Sequence, residues 1–141
     1  MHTVKVERRI NGPRTAVWEA YTDHVSWNDW ARIGKVRLAR EGDTARNGVG
    51  CVRVISNPGV SVEEEVLSFT PPERMTYTVV KGGIPIKDHL GEVVFEDQGD
   101  GTLVRWNCRF NSKIPGLGWL WKLVVGKIFR DALGGLDRKF S

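Results

Sequence analysis

Apolar side chains recur at steps of three and four toward the end of the chain: Leu117, Leu120, Trp121, Val124, Val125, Ile128, Phe129, Ala132, Leu133, Leu136 and Phe140. That spacing predicts one amphipathic helix over Pro115 to Ser141, roughly 39 Å long. Pro115 suits its first turn, where a missing N–H costs nothing. Lys122, Lys127, Arg130, Asp131, Asp137, Arg138 and Lys139 fall on the opposite side. Gly134-Gly135 interrupts the stripe at about 1 kcal/mol per Gly relative to Ala, so a kink or an end is expected there. So wide a stripe needs a concave apolar partner, which the preceding residues must supply.

Upstream the period falls to two. His2 to Ile10 sets Val4 and Val6 against Lys5, Glu7 and Arg9, a strand with one apolar face. Asn11-Gly12-Pro13 breaks it, with Asn11 placed to cap a helix that Pro13 opens over Arg14 to Thr22. Asp23 is placed as a second cap before a short helix or turn from His24 to Trp30, where Trp27 and Trp30 share a face. Six further strands follow: Gly34–Arg40, Cys51–Ile55, Val60–Phe69, Arg74–Lys81, Ile86–Glu96 and Thr102–Phe110. Gly48-Val49-Gly50, Ser56-Asn57-Pro58-Gly59, Pro71-Pro72, Gly82-Gly83 and Gln98-Gly99-Asp100-Gly101 separate them as turns. Consecutive strands on short turns imply an antiparallel sheet with one solvated face and one face toward the terminal helix. The class is α+β, one domain over residues 1–141.

Composition narrows the function classes. A chain of 141 residues that is 40% hydrophobic and 27% charged can bury a core of its own. The net charge of +4 comes from basic residues spread along the chain, so a solvated surface explains it better than a nucleic-acid site. Cys51 and Cys108 have no zinc or redox spacing and read as free, buried thiols. The histidines have no metal-ligand spacing, and neither a phosphate loop nor a nucleophile elbow is present, so no metal or cofactor is expected. No apolar run approaches the ~18 residues of a membrane span. MHTVKVERRI has no signal-peptide character, and a cytoplasmic location is expected.

Several of these pieces, in this order, resemble the START-like (SRPBCC) helix-grip superfamily, and in particular its polyketide cyclase/dehydrase and lipid-transport branch. They are Ile10-Asn11-Gly12-Pro13 with Val17-Trp18, Asp23 with Trp30, Gly48-Val49-Gly50, Glu64-Glu65-Val66, Pro71-Pro72-Glu73-Arg74-Met75 with Tyr77, and Gly101-Thr102 with Trp106. The resemblance implies a curved seven-stranded antiparallel sheet wrapped around a long C-terminal helix, with two short helices after the first strand. It also implies an apolar cavity that holds a lipid, sterol, polyketide or similar molecule. Carriers, aromatase/cyclases, hydrolase-like proteins and ligand-gated regulators share this fold, which leaves the activity open.

Within that frame, Trp30, Met75, Tyr77, His89, Trp106, Cys108, Phe110, Trp121, Val124, Val125 and Ile128 are the expected ligand-binding side chains. The Lys81–Lys87 and Glu41–Asn47 loops are expected rims, and Trp27 and Trp30 an expected gate. The same side chains would also serve as a filled core. Two residues, Glu64 and His89, are candidates for acid–base work. Glu64 shares a strand face with Val62 and Val66, although a solvated Glu64 or an ion pair with Arg53 is the more ordinary reading. His89 is read on one face with Lys87, Gly91, Val93 and Phe95, near the cavity mouth, while Asp88 points away. The favoured function is non-catalytic binding or transport of a small hydrophobic molecule. The alternatives are a cyclase, aromatase or dehydratase using the same cavity, and a module whose basic, Trp-rich terminal helix makes transient membrane contact.

Overall fold

In a computed structural model describing residues Met1–Ser141, the alternating segments become seven strands of one antiparallel sheet. β1 (His2–Ile10) leads into α1 (Arg14–Thr22), a 3-10 turn (His24–Ser26) and α2 (Trp27–Trp30). β2 (Lys35–Arg40), β3 (Val52–Asn57), β4 (Val60–Thr70), β5 (Arg74–Gly82), β6 (Ile86–Gln98) and β7 (Gly101–Ser112) follow, and α3 (Gly118–Lys139) ends the chain. Across the sheet the order is β1-β7-β6-β5-β4-β3-β2: a meander from β2 to β7, with β1 paired against β7. The fold is a helix-grip, a curved sheet around the C-terminal helix.

Period two sorts the strand residues as it should. Cys51, Arg53 and Ile55 of the β3 segment face inward, as do Met75 and Tyr77 of β5 and Val104, Trp106, Cys108 and Phe110 of β7. The space under the last turns of α3 is filled by aromatic rings. Trp106 stacks on Phe129 with centroids 4.4 Å apart, and Tyr21 packs edge-on against Trp106 and Phe95. Trp27 and Trp30 close this side and are 1% and 4% exposed, so they are core residues and form no gate.

Several expectations are corrected. The helix begins at Gly118, because Pro115 and Gly116 form a turn ahead of it. It also runs unbroken through Gly134-Gly135. Both glycines are buried, and a Cβ on Gly135 would overlap the Trp30 carbonyl oxygen, so this glycine permits backbone-to-backbone approach of α3 to α2. Asn11 does not cap α1. Its side chain accepts from Arg9 Nη1, and Pro13 is itself the boundary residue, its carbonyl taking Val17 N–H at 3.0 Å. Asp23 precedes the 3-10 turn but makes no side-chain cap; its carbonyl accepts from Ser26 Oγ at 2.7 Å. The Glu41–Asn47 loop folds on itself through an Arg46–Glu41 ion pair.

Candidate functional site

A second region under α3 is left unfilled. β5 and β6 pair only from Arg74↔Val94 to Tyr77↔Gly91, and beyond that point the two strands part. Side chains replace the missing ladder bonds: Thr78 Oγ1 donates to the His89 carbonyl at 2.7 Å, and Val79 N–H donates to His89 Nδ1 at 3.2 Å. A bulge between Lys87 and Leu90 accompanies the split, with Asp88 in a left-handed conformation at φ 54°. The extra residue reverses the alternation, because one added residue moves every preceding side chain to the other face. Lys87 therefore does not share the inner face with His89, and Ile86 does.

The parted strands, the β3–β4 hairpin and one flank of α3 enclose a half-open cavity of about 180 Å³. Its apolar walls come from Ile33, Ile55, Val60, Val62, Val79, Ile84 and Ile86, with Val125, Ile128 and Phe129 of α3 as the roof. Asn57, Ser61, Glu64, Tyr77 and His89 supply its polar atoms, and Gly82 and Gly83 its hairpin rim. Both glycines have positive φ, and a Cβ on Gly82 would strike the Ser61 carbonyl oxygen.

Glu64 is the only charged residue in the lining. Its cross-strand partner is Arg53, whose Nε donates to Glu64 Oε1 at 2.8 Å. Arg53 is fully buried, with the Trp27 and Tyr77 ring centroids each 4.4 Å from its guanidinium carbon. Its Nη1 and Nη2 and the nearby Tyr21 hydroxyl have no hydrogen-bond partner. Flanking aromatic faces offset part of the cost of burying a cation, and the carboxylate offsets more. Tyr77 is fixed at the back of the cavity: its hydroxyl accepts from Trp106 Nε1 at 2.7 Å, and its ring lies flat on Gly91, where any Cβ would overlap it.

Burial sets the protonation states. It holds the His89 imidazole below its ordinary pKa of 6.5; Glu64 opposes this shift and Arg53 adds to it. Because Nδ1 accepts from a backbone amide, the neutral ring carries its proton on Nε2. Burial likewise raises the Tyr77 hydroxyl well above 10 and the Cys108 thiol to about 12. Neither Cys108 nor Cys51, also raised by burial, is a poised nucleophile.

Of the expected ligand-binding residues, Tyr77, His89, Val125 and Ile128 line the cavity, together with Glu64. Trp30, Met75, Trp106, Cys108 and Phe110 lie instead in the packed core. Trp121 is half-buried with its Nε1 on Ser112 Oγ at 3.1 Å, and Val124 lies half-buried outside the lining. The Lys81–Lys87 segment contributes to the rim, whereas the Glu41–Asn47 loop does not. Arg53 was not among the candidates, although an arginine between inward-facing Cys51 and Ile55 and opposite Glu64 was a readable signal. Ile33, Ile55 and Ile84 had no such mark.

The model of the family described as polyketide cyclase/dehydrase and lipid transport matches residues 1–141. The chain belongs to this family. Among curated proteins none matches it. As a member of the polyketide cyclase/dehydrase and lipid transport family, it shares its fold with solved structures at low identity. XoxI from Bacillus cereus superposes with a TM-score of 0.83 at 22% identity, covering 99% of this chain and 96% of that one. A protein from Thermobifida fusca gives 0.83 at 20%, covering 99% and 93%. A START superfamily protein from Mycobacterium smegmatis gives 0.82 at 13%, covering 99% and 97%. These likenesses concern the fold; the family supports a hydrophobic ligand-binding architecture.

Proposed function

We propose that the protein binds a small hydrophobic molecule in the cavity between α3 and the β3–β6 side of the sheet, without transforming it. The observation that carries this reading is an apolar, half-open cavity beside an otherwise solid core. Its size bounds the guest. An engineered apolar cavity of about 150 Å³ accommodates benzene, and drug-sized ligands occupy roughly 300–1,000 Å³. At about 180 Å³ this one encloses a single ring or a short branched chain, with any remainder emerging past Val60 and Ile128, the exposed apolar side chains of its lining. A fused polyketide or a sterol exceeds it, which counts against a cyclase acting on an enclosed multi-ring substrate. Glu64 is tied to Arg53 and His89 to the β5 backbone, so neither is poised as a free acid or base.

Calorimetric titration of ring-sized apolar compounds tests the proposal, alongside native mass spectrometry for a co-purifying guest. Saturable 1:1 binding that Val125→Phe abolishes while the fold persists is expected. Absence of saturable binding to the unmodified protein would remove the reading.

A second reading has one observation behind it. Trp119 and Leu123 are 59% and 60% exposed beside Lys122, an arrangement suited to brief contact with an anionic bilayer. No helix is long and apolar enough to cross a membrane. Flotation with anionic but not neutral liposomes, lost in Trp119→Ser, is the expected outcome; equal flotation with neutral liposomes would argue against it.

A further inference from the structure

We infer that the cavity selects a guest whose buried end is a neutral hydroxyl, donating to the Glu64 carboxylate and accepting from His89 Nε2–H, and that it rejects the matching carboxylate. The inference rests on the cavity reading above and concerns the chemistry at its closed end.

Both polar groups converge on one residue. Glu64 is the cross-strand partner of Val79, and the His89 ring is bonded to the Val79 amide from the other side. Each has one unengaged atom. Arg53 occupies Oε1 of Glu64, and no protein donor reaches Oε2. Val79 N–H occupies Nδ1 of His89, and Nε2–H has no protein acceptor. An acceptor and a donor beside the same backbone position complement a group that both gives and takes a hydrogen bond. A hydroxyl does both, whereas a carboxylate only accepts.

Charge decides the rest. Among the lining residues only Glu64 is charged. The compensating cation is spent: Arg53 is fully buried between Trp27 and Tyr77 and is not part of the lining. A guest carboxylate would therefore sit beside Glu64 in a poorly solvated space with no cation to meet it. Tyr77 accepts from Trp106 Nε1–H at 2.7 Å, and its own O–H is a neutral donor that brings no positive charge to offset a carboxylate beside Glu64. One Asn57 Nδ2–H donates to the Ile33 carbonyl at 3.0 Å, and this amide too is uncharged.

Four probes that share an ethylphenyl body and differ in the para head test this on the full-length protein by calorimetry: 4-ethylphenol, ethylbenzene, 4-ethylbenzoate and 4-ethylbenzylammonium. A hydrogen bond to a charged acceptor predicts 4-ethylphenol binding about tenfold tighter than ethylbenzene, and 4-ethylbenzoate at least tenfold weaker than ethylbenzene. Glu64→Gln should shrink the penalty on the benzoate. If that variant fails to fold with Arg53 unpaired, His89→Phe serves, and it should narrow the phenol-to-ethylbenzene ratio severalfold. Ethylbenzene binding as tightly as the phenol would overturn the hydroxyl inference and leave the cavity reading standing. A benzoate or an ammonium binding tightest would overturn it as well. If none of the four binds, the cavity reading itself fails.

Discussion

Arg53 shows how far one side chain can organise a site. An isolated buried guanidinium is among the most costly groups a fold can contain, yet this one is 0% exposed with two unpartnered nitrogens. Its neutralisation by Glu64 and its aromatic sandwich make the arrangement tolerable, and in return it fixes the orientation of the one carboxylate in the cavity lining. The two side chains should therefore be coupled. Arg53→Met alone leaves Glu64 without its partner and should destabilise the protein by about 3 kcal/mol, while the double variant Arg53→Met/Glu64→Leu should recover most of the loss. Urea unfolding of the full double-mutant cycle measures this; additive effects would show that the pair is not coupled. Gly91 makes a similar point by absence. Any side chain there displaces the Tyr77 ring and with it the Trp106–Tyr77 hydrogen bond. Gly91→Ala should cost about 1–3 kcal/mol, as other overpacked cores do, and shift the tryptophan emission.

At the scale of elements, α3 is two different helices in one. Its second half, from Phe129 to Leu136, is pressed into the core, apart from Arg130 and Asp131. In its first half Val125 is only half-buried and Ile128 is 39% exposed, because the cavity lies beneath them, while Trp121 and Val124 are half-buried outside its lining. The two adjacent glycines should then respond with opposite signs. A Cβ on Gly134 meets its nearest atom, Arg138 Nη1, at an ordinary 3.6 Å, so Gly134→Ala should stabilise by up to about 1 kcal/mol through helix propensity. Gly135→Ala must push α3 off the Trp30–Ala31 backbone and should destabilise despite the same gain. Thermal unfolding of the two variants checks both signs.

The same element shows what was legible beforehand. Periodicity identified the helix, its inner stripe and most strand faces; it set Tyr77 among the lining candidates and His89 near the cavity mouth, and left Glu64 between the cavity and the Arg53 ion pair that the structure holds. Periodicity gives a direction and no distance. It could not tell that Trp106 meets Phe129 in direct stacking while Val125 stands over a void, so much of the expected lining proved to be core. The glycine pair was weighed by propensity, whereas contact with a neighbouring backbone explains it. Alternation puts Lys87 on the His89 face, and the structure does not, because a bulge at Asp88 has no signature in an alternating pattern.

The whole molecule divides into a solid side, where α1, α2 and the C-terminal half of α3 converge on Tyr21, Trp27 and Trp106, and a hollow side around Glu64 and His89. The Arg53 guanidinium lies at the seam, and its field reaches a histidine on each side. Burial pushes His24 well below 6.5 and Arg53 adds to the shift; His24 is enclosed by Tyr21, Trp27 and Cys51, with no carboxylate among these contacts. His89 is lowered too, with Glu64 opposing. Both folded-state values lie below the unfolded one. Above pH 6.5 neither state carries the extra protons and stability is at its full value. As pH falls below 6.5, the unfolded chain takes up protons that the folded chain refuses, so stability declines toward the depressed folded values. Each histidine contributes a slope of up to about 1.4 kcal/mol per pH unit. Urea midpoints should therefore fall between pH 7.5 and 5.5, and His24→Phe should flatten that slope whatever it does to stability at pH 7.5. A guest that displaces water from the His89 ring deepens its burial and so disfavours the charged form further, and a bound guest should steepen the loss as pH falls through the His89 transition. An unchanged slope with guest present would mean that the guest does not cover His89.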